Sequence, residues 1–218
     1  MQKLLTDQYS SMPWDEIDNV VYDIGNVLIR FDPQYMLDVL FPGEDELHAL
    51  LMRKVFRSPY WVMLDHGTCT VEEAAEAMTG SDTEIAEEIR HTLTHWSDIT
   101  VEIPEGVRSM DAARENGKKL FLLSNYNNVF FEQAAARFAF LNEPVISGRI
   151  ISAYHHIMKP ERVMYEKLTD TYGLDPVRTV FIDDAAVNCA GAIDAGWKAI
   201  WNEHPSVLST FMGFETGR

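Results

Sequence analysis

Apolar positions along the chain keep two different spacings, and the changes between them divide it into three stretches. The first stretch leads into Val20-Val21-Tyr22, an apolar run of strand length that stops at Asp23 with Gly25 and Asn26 close behind. A short apolar run bounded by turn residues is the pattern of a buried strand. From residue 33 the spacing becomes helical, with apolar side chains three and four apart over 34–41, 45–56, 71–78 and 83–96. Thr70 with Glu73, and Ser81 with Glu84, have the spacing of capping boxes at two of those starts. From Pro104 onward the two patterns alternate. Helices are predicted over 104–116, 129–138, 161–172 and 186–195, and strands over 119–123, 179–182 and 197–201. An extended region over 144–152 is broken at Gly148, and Gly117 and Gly173 stand where helices should stop. Residues 1–17 are polar and mixed and read as a loose arm.

Alternation of this kind predicts an α/β fold, a Rossmann-like and mostly parallel sheet with helices on both faces. The helical stretch then becomes an insert between the first two strands. Its expected bounds are 33–101, an all-α cap domain, with 1–32 and 102–218 forming the core domain. An insert of roughly seventy residues is large enough for a small lid over a site.

In an open parallel sheet the carboxyl ends of the strands share one edge, and ligands bind there. That edge would collect Asp23, Ser124-Asn125 and Asp183-Asp184, with Lys159 of Lys159-Pro160-Glu161 alongside at a helix start. An Asp at the end of a buried strand costs desolvation energy unless something stabilises it. Three such carboxylates also repel one another and call for a cation. All-oxygen ligation with few protein ligands suits Mg²⁺. The lysine, the serine hydroxyl and backbone N–H groups are donors for a phosphoryl group. A carboxylate can attack phosphorus to give an aspartyl-phosphate, which water then hydrolyses.

Composition narrows the partners. With 18 basic and 34 acidic residues the formal net charge is −16, which argues against a nucleic-acid or anionic-membrane surface. It leaves an anionic substrate open, because a bound cation reverses the local field. Cys69 and Cys189 lack metal-ligand spacing and suit a reducing cytoplasm, the expected location. No apolar run approaches membrane-spanning length, and no basic segment followed by an apolar core opens the sequence.

These motifs, in this order, resemble the haloacid dehalogenase superfamily of aspartyl-phosphate enzymes in its helical-cap form, over nearly the whole core and the insert. The resemblance implies that Asp23 is the nucleophile, with the backbone amides of Ile24 and Gly25 facing the phosphoryl oxygens. It implies Ser124 as the second-motif hydroxyl and Lys159 as the third-motif lysine. Asp23, Asp183, Asp184 and the carbonyl of Gly25 would hold Mg²⁺, and Asn125 and His66 would complete the substrate-binding set. The form Asp-x-Gly-Asn-Val, with Asp32 and Ser124-Asn125, is similar to a bacterial branch containing sugar-1-phosphate phosphatases. Gly25 is a departure, since most phosphatases and phosphomutases of the superfamily carry a second Asp there to protonate the leaving oxygen. Without it, leaving-group acidity should govern the first step unless His66 or a bound water supplies the proton.

The implied activity is Mg²⁺-dependent hydrolysis of a small phosphorylated metabolite, with a sugar phosphate as one candidate. Carbon–halogen hydrolysis is the alternative, although metal-free members replace the acidic pair retained at 183–184. Phosphonate cleavage would need a lid lysine, and only Lys54 lies between Lys3 and Lys118. Phosphomutase chemistry needs the absent acid, and a non-catalytic binding protein would not be expected to keep the whole set. Other conspicuous residues read structurally. Asp32 is a turn residue before Pro33, Asp65-His66-Gly67-Thr68 a loop ahead of a capped helix, and Asn188 a support for the acidic loop. His155-His156 lack a metal-site pattern, Lys54 reads as a solvated surface residue, and Phe130, Phe131, Phe138 and Phe140 read as core.

Overall fold

In the computed structural model, which describes residues 12–209, all four side chains of strand β1 (Asn19–Tyr22) are buried. A strand covered on both faces belongs in the middle of a sheet packed between helices. The sheet has five parallel strands in the order β3-β2-β1-β4-β5. The others are β2 (Lys119–Ser124), β3 (Gly148–Ile151), β4 (Thr179–Asp183) and β5 (Lys198–Trp201). Tyr22 pairs with Leu122 on one side and Ile182 on the other. That register carries Asp23, Ser124 and Asp183 to the same edge, at the point where the strand order reverses.

The pleat sends alternate side chains into two apolar cores. Val20, Tyr22, Leu122 and Ile182 join one of them, and Val21, Phe121, Leu123 and Phe181 the other. Helices α9 (Arg162–Tyr172) and α10 (Ala186–Asp194) cover the second face through Met164, Tyr165, Leu168, Cys189 and Ala192. The first face is covered by α6 (Pro104–Glu115) and α7 (Asn128–Arg137), through Met110, Phe130 and Phe131. A short helix, α8 (Ser152–His155), follows β3, and α11 (Ser206–Ser209) follows β5. No helix among the described residues is long and apolar enough to cross a membrane.

The insert runs through α1 (Pro33–Leu40), α2 (Asp45–Leu51), α3 (Pro59–His66), α4 (Val71–Thr79) and α5 (Ala86–His95). Its apolar residues, among them Leu51, Leu64, Met78 and Leu93, belong to the same cluster as the first face of the sheet. The two chain crossings that lead into and out of it lie side by side: Arg30 N–H donates to Val101 O at 2.9 Å, and Ile103 N–H to Leu28 O at 2.8 Å.

The structure departs from the periodicity at several places. The helix expected over 45–56 is α-helical only to Leu51 and continues as a π-helical turn, Met52–Phe56. The helix expected over 83–96 begins as a 3₁₀ turn, Thr83–Ile85, before α5. The Thr70–Glu73 capping box forms, but the Ser81–Glu84 one does not. Asp82 stands at that start instead, and its carboxylate is taken by Lys54. The largest difference is α3, which the periodicity does not predict and whose last two residues, Asp65 and His66, were expected in a loop. Ser58 caps it through Trp61 N–H at 3.3 Å, Pro59 fills its first position, and Gly67 ends it at φ 76°. Those start and stop signals were in the sequence, but eight residues are too few to show a period. The arm at 1–17 lies mostly outside the described residues, yet its last residue, Ile17, is fully buried.

Gly106 places α6 against the turn that follows β1. A Cβ there would lie 2.0 Å from Val27 O, a backbone atom that cannot swing away. Gly106→Ala should therefore lower the unfolding free energy by about 1–3 kcal/mol, the usual cost of overpacking a core. Urea unfolding of the two proteins, read by far-UV circular dichroism, checks this. Equal midpoints would mean that α6 packs less tightly on that turn.

Candidate active site

The turn after β1 begins at Asp23 and winds tightly, with Ile24 O accepting from Leu28 N–H and Ile29 N–H, both at 2.9 Å. Among the described residues neither Ile24 N–H nor Gly25 N–H has a protein acceptor, so both remain available to a ligand. Asn26 takes a left-handed conformation (φ 52°), which Asn tolerates better than most residues. Its side chain accepts from Phe31 N–H at 3.0 Å and donates to Asp184 Oδ2 at 3.2 Å, tying the turn to the acidic loop after β4.

Asp23 is buried, and its Oδ1 accepts from Ser124 Oγ at 2.7 Å. Lys159 Nζ lies 2.8 Å from the same oxygen and 2.7 Å from Asp183 Oδ2, so one buried ammonium bridges the ends of β1 and β4. Asp183 also accepts from Ala185 N–H at 2.7 Å and from Asn188 Nδ2 at 3.0 and 3.1 Å. Asn188 thus steadies the acidic loop, as expected. Carboxylate oxygens of Asp23, Asp183 and Asp184 all lie within 4.8 Å of one another. With Lys159 the four groups carry a formal charge of −2 when ionised. A hard divalent cation such as Mg²⁺ would balance that charge, and the all-oxygen donors fit it.

Burial raises the Asp23 carboxyl above its usual range, with Asp183 and Asp184 adding to the rise and Lys159 opposing it. Asp184 is raised by burial and by Asp183. For Lys159 burial works downward, but the charges of Asp183 and Asp23 more than offset it, and the ammonium is held.

Asn125 and His66, both expected to meet substrate, are used differently. Asn125 lines the cavity, but its amide holds Lys159 from both sides: Oδ1 accepts from Lys159 N–H at 2.8 Å and Nδ2 donates to Lys159 O at 3.0 Å. Lys159 sits ahead of α9 rather than in its first turn. His66 is not among the residues lining the cavity, and its ring centroid lies 6.1 Å from that of His156. The reason is the helix that the loop reading missed. As the last residues of α3, Asp65 and His66 have carbonyls without helical donors, and Leu64 O accepts from the capping Gly67 N–H at 3.0 Å. Asn127 Nδ2 donates to Leu64 O at 3.1 Å, Ser152 Oγ to Asp65 O, and His156 Nδ1 to His66 O at 3.1 Å. Gly67 completes this contact, since a Cβ there would lie 2.3 Å from Ala153 O. Docked in this way, α3 turns His66 aside and brings Asp65 into the cavity.

The cavity above Asp23 holds about 180 Å³. Asp23, Gly25, Ser124 and Asp184 are at its sheet edge, and Phe31, Trp61, Trp96, Tyr126 and Phe130 form an aromatic wall. Trp96 lies 5.7 Å from Phe31, 5.6 Å from Trp61 and 5.1 Å from Phe130, between ring centroids. Phe130 is therefore both core and lining, whereas Phe131 is core alone. Lys54 stays apart from the cavity, paired with Asp82 and donating to Thr79 O at 3.4 Å. Asp32 caps α1 by accepting from Tyr35 N–H at 3.1 Å, as its place before Pro33 suggested.

A family model for haloacid dehalogenase-like hydrolases matches residues 17–196. Among solved structures, a HAD family enzyme from Bacteroides thetaiotaomicron is similar with a TM-score of 0.65 and 21% identity, over 85% of this chain and 93% of that one. The same enzyme is known in complex with magnesium and inorganic phosphate. L-2-haloacid dehalogenase from Xanthobacter autotrophicus has a TM-score of 0.61 and 17% identity, over 84% of this chain and 76% of that one. A HAD-like family hydrolase from Porphyromonas gingivalis has a TM-score of 0.64 and 20% identity, over 85% and 91%.

Asp65 supplies a test of the site's electrostatics. Burial pushes its carboxyl up to about 8 from 3.8, with the Asp23 charge adding to the rise, and the Asn127 backbone and Lys159 working against it. The folded protein holds this proton more tightly than the unfolded chain, so its contribution to stability is complete at acid pH and is lost as pH rises through about 8. Asp65→Asn, which cannot ionise, should gain unfolding free energy relative to the wild type as pH is raised across that range, then hold the gain. Chemical denaturation at a series of pH values measures it. A difference that does not vary with pH would place the carboxyl in water.

Proposed function

The chain belongs to the haloacid dehalogenase-like hydrolases, and within that family we propose that it is a Mg²⁺-dependent phosphomonoesterase for a small phosphorylated metabolite, a sugar phosphate being one candidate. The observation that carries this reading is the set of three carboxylates gathered within 4.8 Å around one ammonium. That balance favours a divalent cation and a phosphate dianion over a haloacid, whose hydrolysis in metal-free relatives proceeds without an acidic pair. Arg30, which lines the cavity, is paired with Asp32 at 2.9 Å.

In this reading residues 33–101 are a cap on a core made of 1–32 and 102–218. Asp23 attacks phosphorus, the bond from phosphorus to the ester oxygen breaks, and an aspartyl-phosphate forms. Ser124 Oγ and Lys159 Nζ, both already on Asp23 Oδ1, are placed to donate to the phosphoryl oxygens as that charge moves. The Ile24 and Gly25 N–H groups add two further donors. Asp23, Asp183, Asp184 and the Gly25 carbonyl would hold Mg²⁺, which when bound offsets the phosphate charge as a Lewis acid. Asn125 keeps Lys159 in place, and Asn188 keeps Asp183 in place. The aromatic wall shields the reacting centre from bulk water, which strengthens each of these electrostatic contacts.

Two measurements follow. A panel of phosphate monoesters, phosphonates and 2-haloacids, run with Mg²⁺ and after metal removal with EDTA, should show phosphate release from monoesters alone and only with metal. Asp23→Asn should abolish that release while the protein stays folded. Halide release, or turnover unchanged in EDTA, would sink the reading. Mg²⁺ at a hundredfold excess over its Kd should stabilise the wild type by about 2.7 kcal/mol. Asp184→Asn should lose that response, as read by thermal unfolding with and without the ion.

A further inference from the structure

Gly25 leaves the cavity without an acid where one would be expected, and the space is open: a Cβ on Gly25 would meet nothing within 4 Å. Asp65 lines the same cavity, from the end of α3. Its placement does not depend on a free-moving insert. Carbonyls of three successive residues, Asp65 among them, are held by Asn127, Ser152 and His156 from the segments that follow β2 and β3. No basic side chain pairs with Asp65 among the described residues, so its carboxyl is not consumed by a structural ion pair.

Resting on the phosphatase reading, we infer that Asp65 is the proton donor to the leaving oxygen, performing from the insert the task that Gly25 cannot. As Asp23 bonds to phosphorus and the ester bond breaks, the electron pair on the ester oxygen takes the Asp65 proton and the alcohol departs. The Asp65 carboxylate then accepts a proton from the water that attacks phosphorus. The bond from Asp23 to phosphorus breaks, phosphate leaves, and both carboxyl groups return to their starting state. No co-reactant besides water is needed. Burial keeps the proton on Asp65 at neutral pH, so the acid form is the one that meets substrate. The charged groups whose fields reach it are Asp23 from the end of β1, which favours retention, and Lys159, which opposes it. His156, from the segment after β3, is engaged with the His66 carbonyl.

Aryl and alkyl esters separate this role from a structural one. In the wild type, single-turnover rates across a series from 4-nitrophenyl phosphate to ethyl phosphate should depend only weakly on leaving-group acidity. In Asp65→Asn that dependence should become steep, with ethyl phosphate slowed by about 10²- to 10⁴-fold, the usual worth of a positioned acid. Because 4-nitrophenolate leaves without a proton, the same variant should still release it in a burst matching the enzyme concentration. Slow turnover should follow the burst, since the base for the second step is also gone. A steep dependence in the wild type, equal slowing of both ester classes in Asp65→Asn, or no slowing of either would overturn the inference alone. A wild type that releases phosphate from no monoester would overturn the phosphatase reading, and the inference with it.

Discussion

One buried ammonium holds the site together. Lys159 stands between Asp23 and Asp183, which parallel register forces to the same height on adjacent strands. Two ionised carboxylates that close, both out of water, would cost several kcal/mol if left unpaired. The backbone of Lys159 is fixed by Asn125, Asp183 is fixed by Asn188, and Asp184 is tied through Asn26 to the turn that carries Asp23. Removing Lys159 would therefore leave buried like charges facing one another, with consequences for folding as well as chemistry. The same crowding makes the site receptive to a further cation, because a single ammonium does not balance three carboxylates.

The aromatic wall gives the cavity two unlike halves. Donors and carboxylates line the sheet edge, whereas Phe31, Trp61, Trp96, Tyr126 and Phe130 line the side away from it. In the proposed phosphatase reading, an entering phosphate monoester would place its charged end among the donors and its organic end against rings. Flat or apolar faces, including the C–H faces of a sugar ring, suit such a surface better than a second anionic group. Among the described residues Arg30 is the one basic side chain lining the cavity, and it is already engaged with Asp32.

The sheet and its ligand edge were legible because they depend on local chemistry. Buried strands read as short apolar runs, helices stop at Gly117 and Gly173, and small or acidic residues follow the strands. The motif residues Asp23, Ser124, Asp183 and Asp184 meet because topology brings strand ends together, and Lys159 joins them from the segment between α8 and α9. The insert was harder. Its helices are short, and one contains a π-helical turn whose five-residue spacing no regular period anticipates. The exchange of His66 for Asp65 turned on a single feature, the start of α3 at Ser58-Pro59, which rotates that segment relative to a loop. Asn125 was expected at the substrate; it lines the cavity, and its amide also holds Lys159, a contact between residues 34 positions apart that no local pattern encodes.

The paired crossings at Arg30–Val101 and Leu28–Ile103 have a consequence for how such a chain can be remodelled. Entry and exit points one hydrogen bond apart mean that the core sees the intervening segment as a closed loop, whatever its length or content, and loop-closure entropy grows only slowly with length. Exchange of this segment for another of different size would leave the strand register untouched. What resists exchange is solvent. Leu51, Leu64, Met78 and Leu93 share one apolar cluster with the sheet, so a replacement must present a matching apolar underside or expose that face of the sheet to water. Covalent geometry makes the segment modular, and its packing makes it particular to this core.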